Sequence, residues 1–106
     1  MFQKMLQGGS KTEIVYGEFT PSMSNFTAVN CGFQPTKVYM YFTSGGKILQ
    51  RIWDVVNNTF YQKEGGEAQI DITQFVGYCG LTDNGFKYKA ISLDDSVVTF
   101  YMAIKE

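Results

Sequence analysis

A chain of 106 residues with 44% hydrophobic and 18% charged side chains has the size of one domain and is too apolar to stay disordered. Nine Lys and Arg stand against ten Asp and Glu, for a net charge of −1. That balance leaves no basic surface to neutralise phosphates, so nucleic acid is not a fitting partner.

No apolar stretch approaches the roughly 20 residues of a membrane helix, so membrane insertion is not expected. Residues 1 to 10 are too short and polar for a secretory signal, which places synthesis in a cytoplasm. Residues 1 to 13 read as a lead-in to a single domain at 14 to 106. Gln7, Gly8, Gly9 and Ser10 are linker-like. Phe2, Met5 and Leu6 fit a docked helical turn, a subunit contact or a frayed terminus.

Glu13 to Thr20 reads as the first strand, stopped by Pro21 and a turn-rich link to Asn25. Phe26 to Asn30 is a short second strand. Cys31-Gly32-Phe33-Gln34-Pro35 is a turn, because Gly32 tolerates unusual backbone angles and Pro35 holds Gln34 extended. Lys37 to Thr43 follows as the most β-prone stretch. Alternation puts Val38, Met40 and Phe42 on one face, and Tyr39, Tyr41 and Thr43 on the other. Both faces are largely hydrophobic, which predicts a strand covered on both sides.

Ser44-Gly45-Gly46-Lys47 is a hairpin signal. Ile48 to Val56 fits a helical stripe and a strand, and the flanking Gly45-Gly46 and Asn57-Asn58 favour a strand. Thr59 to Lys63 is its return strand. Glu64-Gly65-Gly66-Glu67 is another turn, and Ala68 to Thr73 a short strand. Phe75 to Leu81 is interrupted by Gly77 and Gly80, which suggests a bulge. Asp83-Asn84-Gly85 is a hairpin turn. Phe86 to Ile91 and Val97 to Lys105 read as an antiparallel pair joined across Ser92 to Ser96. Eight or nine short strands with regular turn signals predict an all-β fold: an antiparallel β-sandwich, jelly-roll-like or a related barrel.

The search for chemistry returns little. Histidine is absent, so the commonest general base and zinc ligand are missing, and Ser–His and Cys–His nucleophile systems cannot form within the chain. No P-loop, dinucleotide fingerprint or EF-hand pattern occurs, so no catalytic, cofactor-binding or metal residue is assigned. Paired carboxylates would have to come from Asp54, Glu64, Glu67, Asp71, Asp83, Asp94 and Asp95, which mostly fall in predicted turns and read as solvated. Cys31 and Cys79 read as buried or half-buried free thiols rather than a scaffold disulfide.

Aromatic residues make up 16% of the chain and are the better lead. Arg51 and Trp53 share one strand face, with Phe60 and Tyr61 on the neighbouring strand. Two readings stand: a contact surface that anchors a protein or stacks on a sugar, or a Trp53 that belongs to the core with Arg51 at the sheet edge. The two-sided apolar strand adds homo-oligomerisation as a way to cover the second face.

Two segments carry a family resemblance. Gly17-Glu18-Phe19-Thr20-Pro21 with Val29 to Val38, and Asp83-Asn84-Gly85-Phe86-Lys87 with Val98 to Ile104, resemble small phage and prophage tail or tail-fibre-associated β domains. The shared features are a Gly-Phe-x-Pro turn at Gly32, Phe33 and Pro35, a hydrophobic strand, and the Gly85-Phe86 pair. Residues 44 to 80 match poorly. The resemblance implies a non-enzymatic structural or accessory protein made in a host cytoplasm, either carried in the virion tail or a non-virion protein that shares the fold. It would serve assembly or host-surface attachment, with copies of itself, other tail proteins or a cell-surface glycan as partners. A carbohydrate-binding module using exposed aromatics is the alternative.

Overall fold

The computed structural model describes residues 12–106. Among these residues, nine strands form two antiparallel sheets. They are β1 (Glu13–Phe19), β2 (Thr27–Asn30), β3 (Lys37–Ser44), β4 (Lys47–Asp54), β5 (Thr59–Glu64), β6 (Ile70–Asp71), β7 (Cys79–Thr82), β8 (Gly85–Tyr88) and β9 (Thr99–Lys105). The large sheet has the order β1-β9-β3-β4-β5-β6, and the small one β2-β8-β7. The fold is the expected all-β sandwich. Of the predicted lead-in, residues 1 to 11 lie outside the described residues, and Glu13 already belongs to β1.

Local chemistry accounts for the meander from β3 to β6. Gly45 and Gly46 form the two-residue turn between Ser44 and Lys47. Lys47 to Asp54 is a strand, so the helical alternative does not form, and Val55 and Val56 fall in the following loop. That loop spans four residues, with Asp54 paired to Thr59. Asp54 shapes it by accepting from the Asn57 backbone N–H at 3.2 Å and from Asn57 Nδ2 at 2.9 Å. These bonds, the side-chain one first, hold the Asp54 carboxyl below its ordinary range.

Two expectations are corrected. The region around Gly77 is not a bulged strand. Residues Thr73–Tyr78 form a 3-10 segment, started where Asp71 Oδ1 accepts from the Thr73 N–H at 2.8 Å. The strand expected over Ala68 to Thr73 shrinks to Ile70–Asp71. The second correction concerns the last two long strands. β8 pairs with β2 and β7, whereas β9 inserts between β1 and β3, so they lie in different sheets. Residues 89 to 98 cross from the small sheet to the large one.

The core fills the space between the sheets. Val38, Met40, Trp53, Phe60, Tyr101 and Ala103 from the large sheet meet Val29, Phe86 and Tyr88 from the small one. Ring pairs hold them in edge-on contact: Phe86 and Tyr101 have centroids 5.3 Å apart, and Phe19 and Phe86 5.8 Å. Each fully buried side chain of this size stabilises the fold by about 1.5–3 kcal/mol relative to exposure.

Candidate functional site

The register of β4 and β5 separates the residues expected to form a contact surface. Trp53 pairs with Phe60, and Ile52 with Tyr61. Alternation then sends Arg51, Trp53 and Phe60 inward and Tyr61 outward. Trp53 is 4% exposed and Phe60 not at all. The core reading of Trp53 is therefore the one the structure takes, and its Nε1–H is buried with no hydrogen-bond partner among the described residues. Arg51 is not at a sheet edge. It is buried too.

Arg51 sits in a polar cluster that the sequence did not reveal. Its Nη1 donates to Asp95 Oδ2 at 2.5 Å and to the Tyr88 hydroxyl at 2.7 Å, and its Nε donates to Gln62 Oε1 at 2.8 Å. Its guanidinium also lies 4.9 Å from the centre of the Phe42 ring. Asp95 is 1% exposed, so it is not the solvated turn residue that its sequence position suggests; Asp94 beside it is exposed. The cause is a capping box over the 3-10 turn Leu93–Asp95, in which Asp95 Oδ1 accepts from the Ser92 N–H at 2.9 Å. Oδ2 also accepts from the Ile91 N–H at 3.1 Å. The cluster takes Arg51 from the large sheet, Tyr88 from the small sheet and Asp95 from the crossover. It fastens three parts of the fold together. The spacing Ser92-x-x-Asp95 was the available signal for it.

The same cluster limits reactivity nearby. Burial pushes the Tyr88 hydroxyl far up, with Arg51 acting against it, and does the same to the Cys79 thiol. A thiol in that state is a poor nucleophile at neutral pH. Cys31 and Cys79 are both free, Cys31 buried and Cys79 half-buried, as expected. Cys31 Sγ donates to the Phe33 carbonyl at 3.2 Å. Among the described residues, no three Cys, Asp or Glu side chains gather as metal ligands.

The two segments singled out in the sequence touch each other. The N–H groups of Cys31 and Gly32 both donate to the Asn84 carbonyl, at 3.1 and 2.9 Å, and Gln34 Nε2 donates to the Thr82 carbonyl at 2.9 Å. Gly32 has φ +92°, a left-handed angle that favours glycine. Phe33 and Pro35 are buried in front of β3, and Phe86 is 1% exposed. Gly85 is required for a different reason from the one expected. It is the first residue of β8, paired to Asn30, and a Cβ there would stand 1.9 Å from the Val29 carbonyl oxygen. Together these residues dock the 31–35 turn on the tip of the β7–β8 hairpin.

What remains is the outer face of the large sheet. The pairings align one residue per strand into a row, Tyr16-Met102-Tyr39-Ile52-Tyr61, running from β1 to β5. A parallel row reads Glu18-Phe100-Tyr41-Gln50-Lys63, and Ile14 and Ile104 lie on the other side. Tyr16 is 73% exposed, Phe100 55% and Ile14 48%, while Tyr39, Tyr41, Ile52 and Tyr61 are half-buried by their neighbours. Burial, then the nearby Tyr39 and Tyr16, raises the Tyr41 hydroxyl above its ordinary value. A shallow hollow of about 320 Å³ opens on this face among Tyr41, Ile48, Gln50, Lys63 and Gly65. Both faces of β3 are apolar, and only the inner one is covered by the described residues.

No known family model, curated protein or solved structure matches the chain. Among the described residues, no helix is long and apolar enough to cross a membrane.

Proposed function

We propose that this is a non-enzymatic structural or accessory protein of phage or prophage origin, associated with the tail. It acts in assembly or host-surface attachment through the outer face of its large sheet, against its own copies or other tail proteins. One observation carries the reading: an aromatic and aliphatic row crosses five strands on the face opposite a filled core. Contiguous apolar surface of that extent marks an interaction site. The Gly-Phe-x-Pro turn and the Gly85-Phe86 pair supply the resemblance that names the setting, and they dock on one another. Mass spectrometry of purified particles tests it. The chain is expected at a copy number fixed relative to the other tail proteins, and its absence from particles would overturn the virion role.

The hollow among Tyr41, Gln50 and Lys63 favours a second reading. An aromatic ring beside amide and ammonium donors is the chemistry that stacks on and hydrogen-bonds a sugar. This replaces the version built on Trp53, which is buried. A glycan array showing binding that Tyr41→Ala removes would establish it, and an array with no binding would exclude it.

A further inference from the structure

We infer that the outer face of the large sheet is covered by a second copy of the chain, related by a two-fold axis running close to the direction of β3. The inference rests on reading that face as a contact surface. It adds the occupant and the geometry.

Across the face the order is β1, β9, β3, β4, β5, with the two-residue β6 at the far edge beyond β5; among the five longer strands β3 is central, and β1 and β5 flank it at equal remove, about 10 Å on each side. The row Glu18-Phe100-Tyr41-Gln50-Lys63 begins with an acid on β1 and ends with a base on β5. A two-fold axis along β3 exchanges the two ends. It therefore lays each Glu18 over the partner's Lys63, twice per dimer, and stacks the tyrosines of β3 at the centre. The Tyr16 row behaves likewise, with Tyr16 meeting the partner's Tyr61 and Met102 meeting the partner's Ile52. Lys37, on the central strand, meets its own copy, and Asp54, its cross-strand partner, supplies the counter-charge. The alternative axis, across the strands, would set Glu18 over the partner's Ile14 and leave Lys63 over the partner's Thr59. The two Glu18–Lys63 contacts favour the first arrangement, against the single Lys37–Lys37 approach at its axis.

The size of the face agrees. Five strands at about 4.8 Å spacing span about 24 Å, and the seven residues of β1 or β9 about 23 Å. The flat area is about 550 Å² per copy and about 1,100 Å² for two, above the ~800 Å² of incidental contacts and close to the lower bound for specific interfaces. Twisted sheets stack face to face with their strands about 30° apart, which needs only a small tilt of the axis from β3.

Sedimentation of the full chain over a concentration series tests the inference, using wild type, Glu18→Lys, Lys63→Glu, the double exchange and Tyr39→Glu. Near-UV circular dichroism confirms that each variant folds, and Tyr16→Glu serves if Tyr39→Glu does not. Wild type is expected to dimerise. Each single reversal sets like charges opposite each other at two places and should weaken the dimer at least about tenfold, while the double exchange restores it to within about threefold. The central Tyr→Glu variant should be monomeric. A wild type that stays monomeric at millimolar concentration, a double exchange weaker than either single, or a dimer indifferent to the central glutamate would each overturn it. A monomer that is nonetheless found in particles overturns the two-fold arrangement alone. A dimer absent from particles overturns the virion role and leaves the arrangement standing.

Discussion

Removing the Asp95 carboxylate should be among the most damaging single changes available to this fold. Asp95→Ala deletes four hydrogen bonds, from Arg51, Tyr88, Ile91 and Ser92. It also leaves the Arg51 guanidinium buried with only Gln62, the Tyr88 hydroxyl and the Phe42 ring for company. Breaking a buried ion pair from one side costs about 3–5 kcal/mol, because the surviving charge loses both water and partner. A domain of this size has about 5–15 kcal/mol in total, so about a fifth or more of its stability is at stake. At about 4 °C per kcal/mol or more, Tm should fall by at least about 12 °C. Urea unfolding followed by Trp53 fluorescence gives the free energy directly. The companion variant is Arg51→Met with Asp95→Leu, which removes both charges and fills the space. It should lie within about 2 kcal/mol of wild type, whereas the single variants Arg51→Met and Asp95→Leu should each lose about 3–5 kcal/mol, giving a coupling energy of at least about 4 kcal/mol in the double-mutant cycle. An Asp95→Ala variant within about 1 kcal/mol of wild type, or a cycle that is simply additive, would refute the clasp.

Two further outcomes follow from packing and burial. Gly85→Ala sets a methyl group against the Val29 carbonyl, where the neighbour is backbone and cannot swing aside, so β2 must shift; a loss of at least about 2 kcal/mol in urea unfolding is expected, and a neutral result would contradict the close approach. Tyr88 has its pKa raised by burial, so above the unfolded value near pH 10 the folded state holds the proton that the unfolded state releases. Its contribution is therefore complete below about pH 10 and is lost as pH rises. An NMR titration of the Tyr88 ring should show ionisation only together with unfolding, and ionisation near pH 10 in the folded protein would refute the burial argument.

Period and punctuation carried most of the fold. Alternation in Lys37 to Thr43 and glycine or asparagine at the turns placed β3, β4 and β5 within two residues. The 3-10 segment after Asp71 was missed for a local reason, the Asp71–Thr73 bond that starts it; the other failures depended on partners far along the chain. Sequential strands usually pair, and that preference joined Phe86–Ile91 to Val97–Lys105, although the crossover between them carries Asp95 across to Arg51. A charged residue between Leu49 and Trp53 on a strand reads as an edge or a surface, because nothing local supplies a counter-charge. The counter-charge is 44 positions away. The outer face was legible in part: the apolar character of both sides of β3 was plain. The row across five strands needed the register of β9, which no local signal gives.

The two faces of β3 solve different problems, and their side chains differ accordingly. The inner face uses Val38, Met40 and Phe42, which have no polar atom to satisfy and gain most from permanent burial. The outer face uses Tyr39 and Tyr41, joined by Tyr16 and Tyr61 in neighbouring strands. A tyrosine can keep its hydroxyl in water while its ring is half covered, and can bury that ring later. Such a face costs a single chain little when uncovered, whereas isoleucine and leucine throughout would invite indiscriminate aggregation. The specificity of the fold itself rests on the other side of the sheet, in the Arg51–Tyr88–Asp95 clasp. With the outer face paired as proposed, this division separates folding from association. Changes at Tyr16, Tyr39 or Glu18 should alter what the protein holds without altering how it folds, and changes at Arg51 or Asp95 should do the reverse.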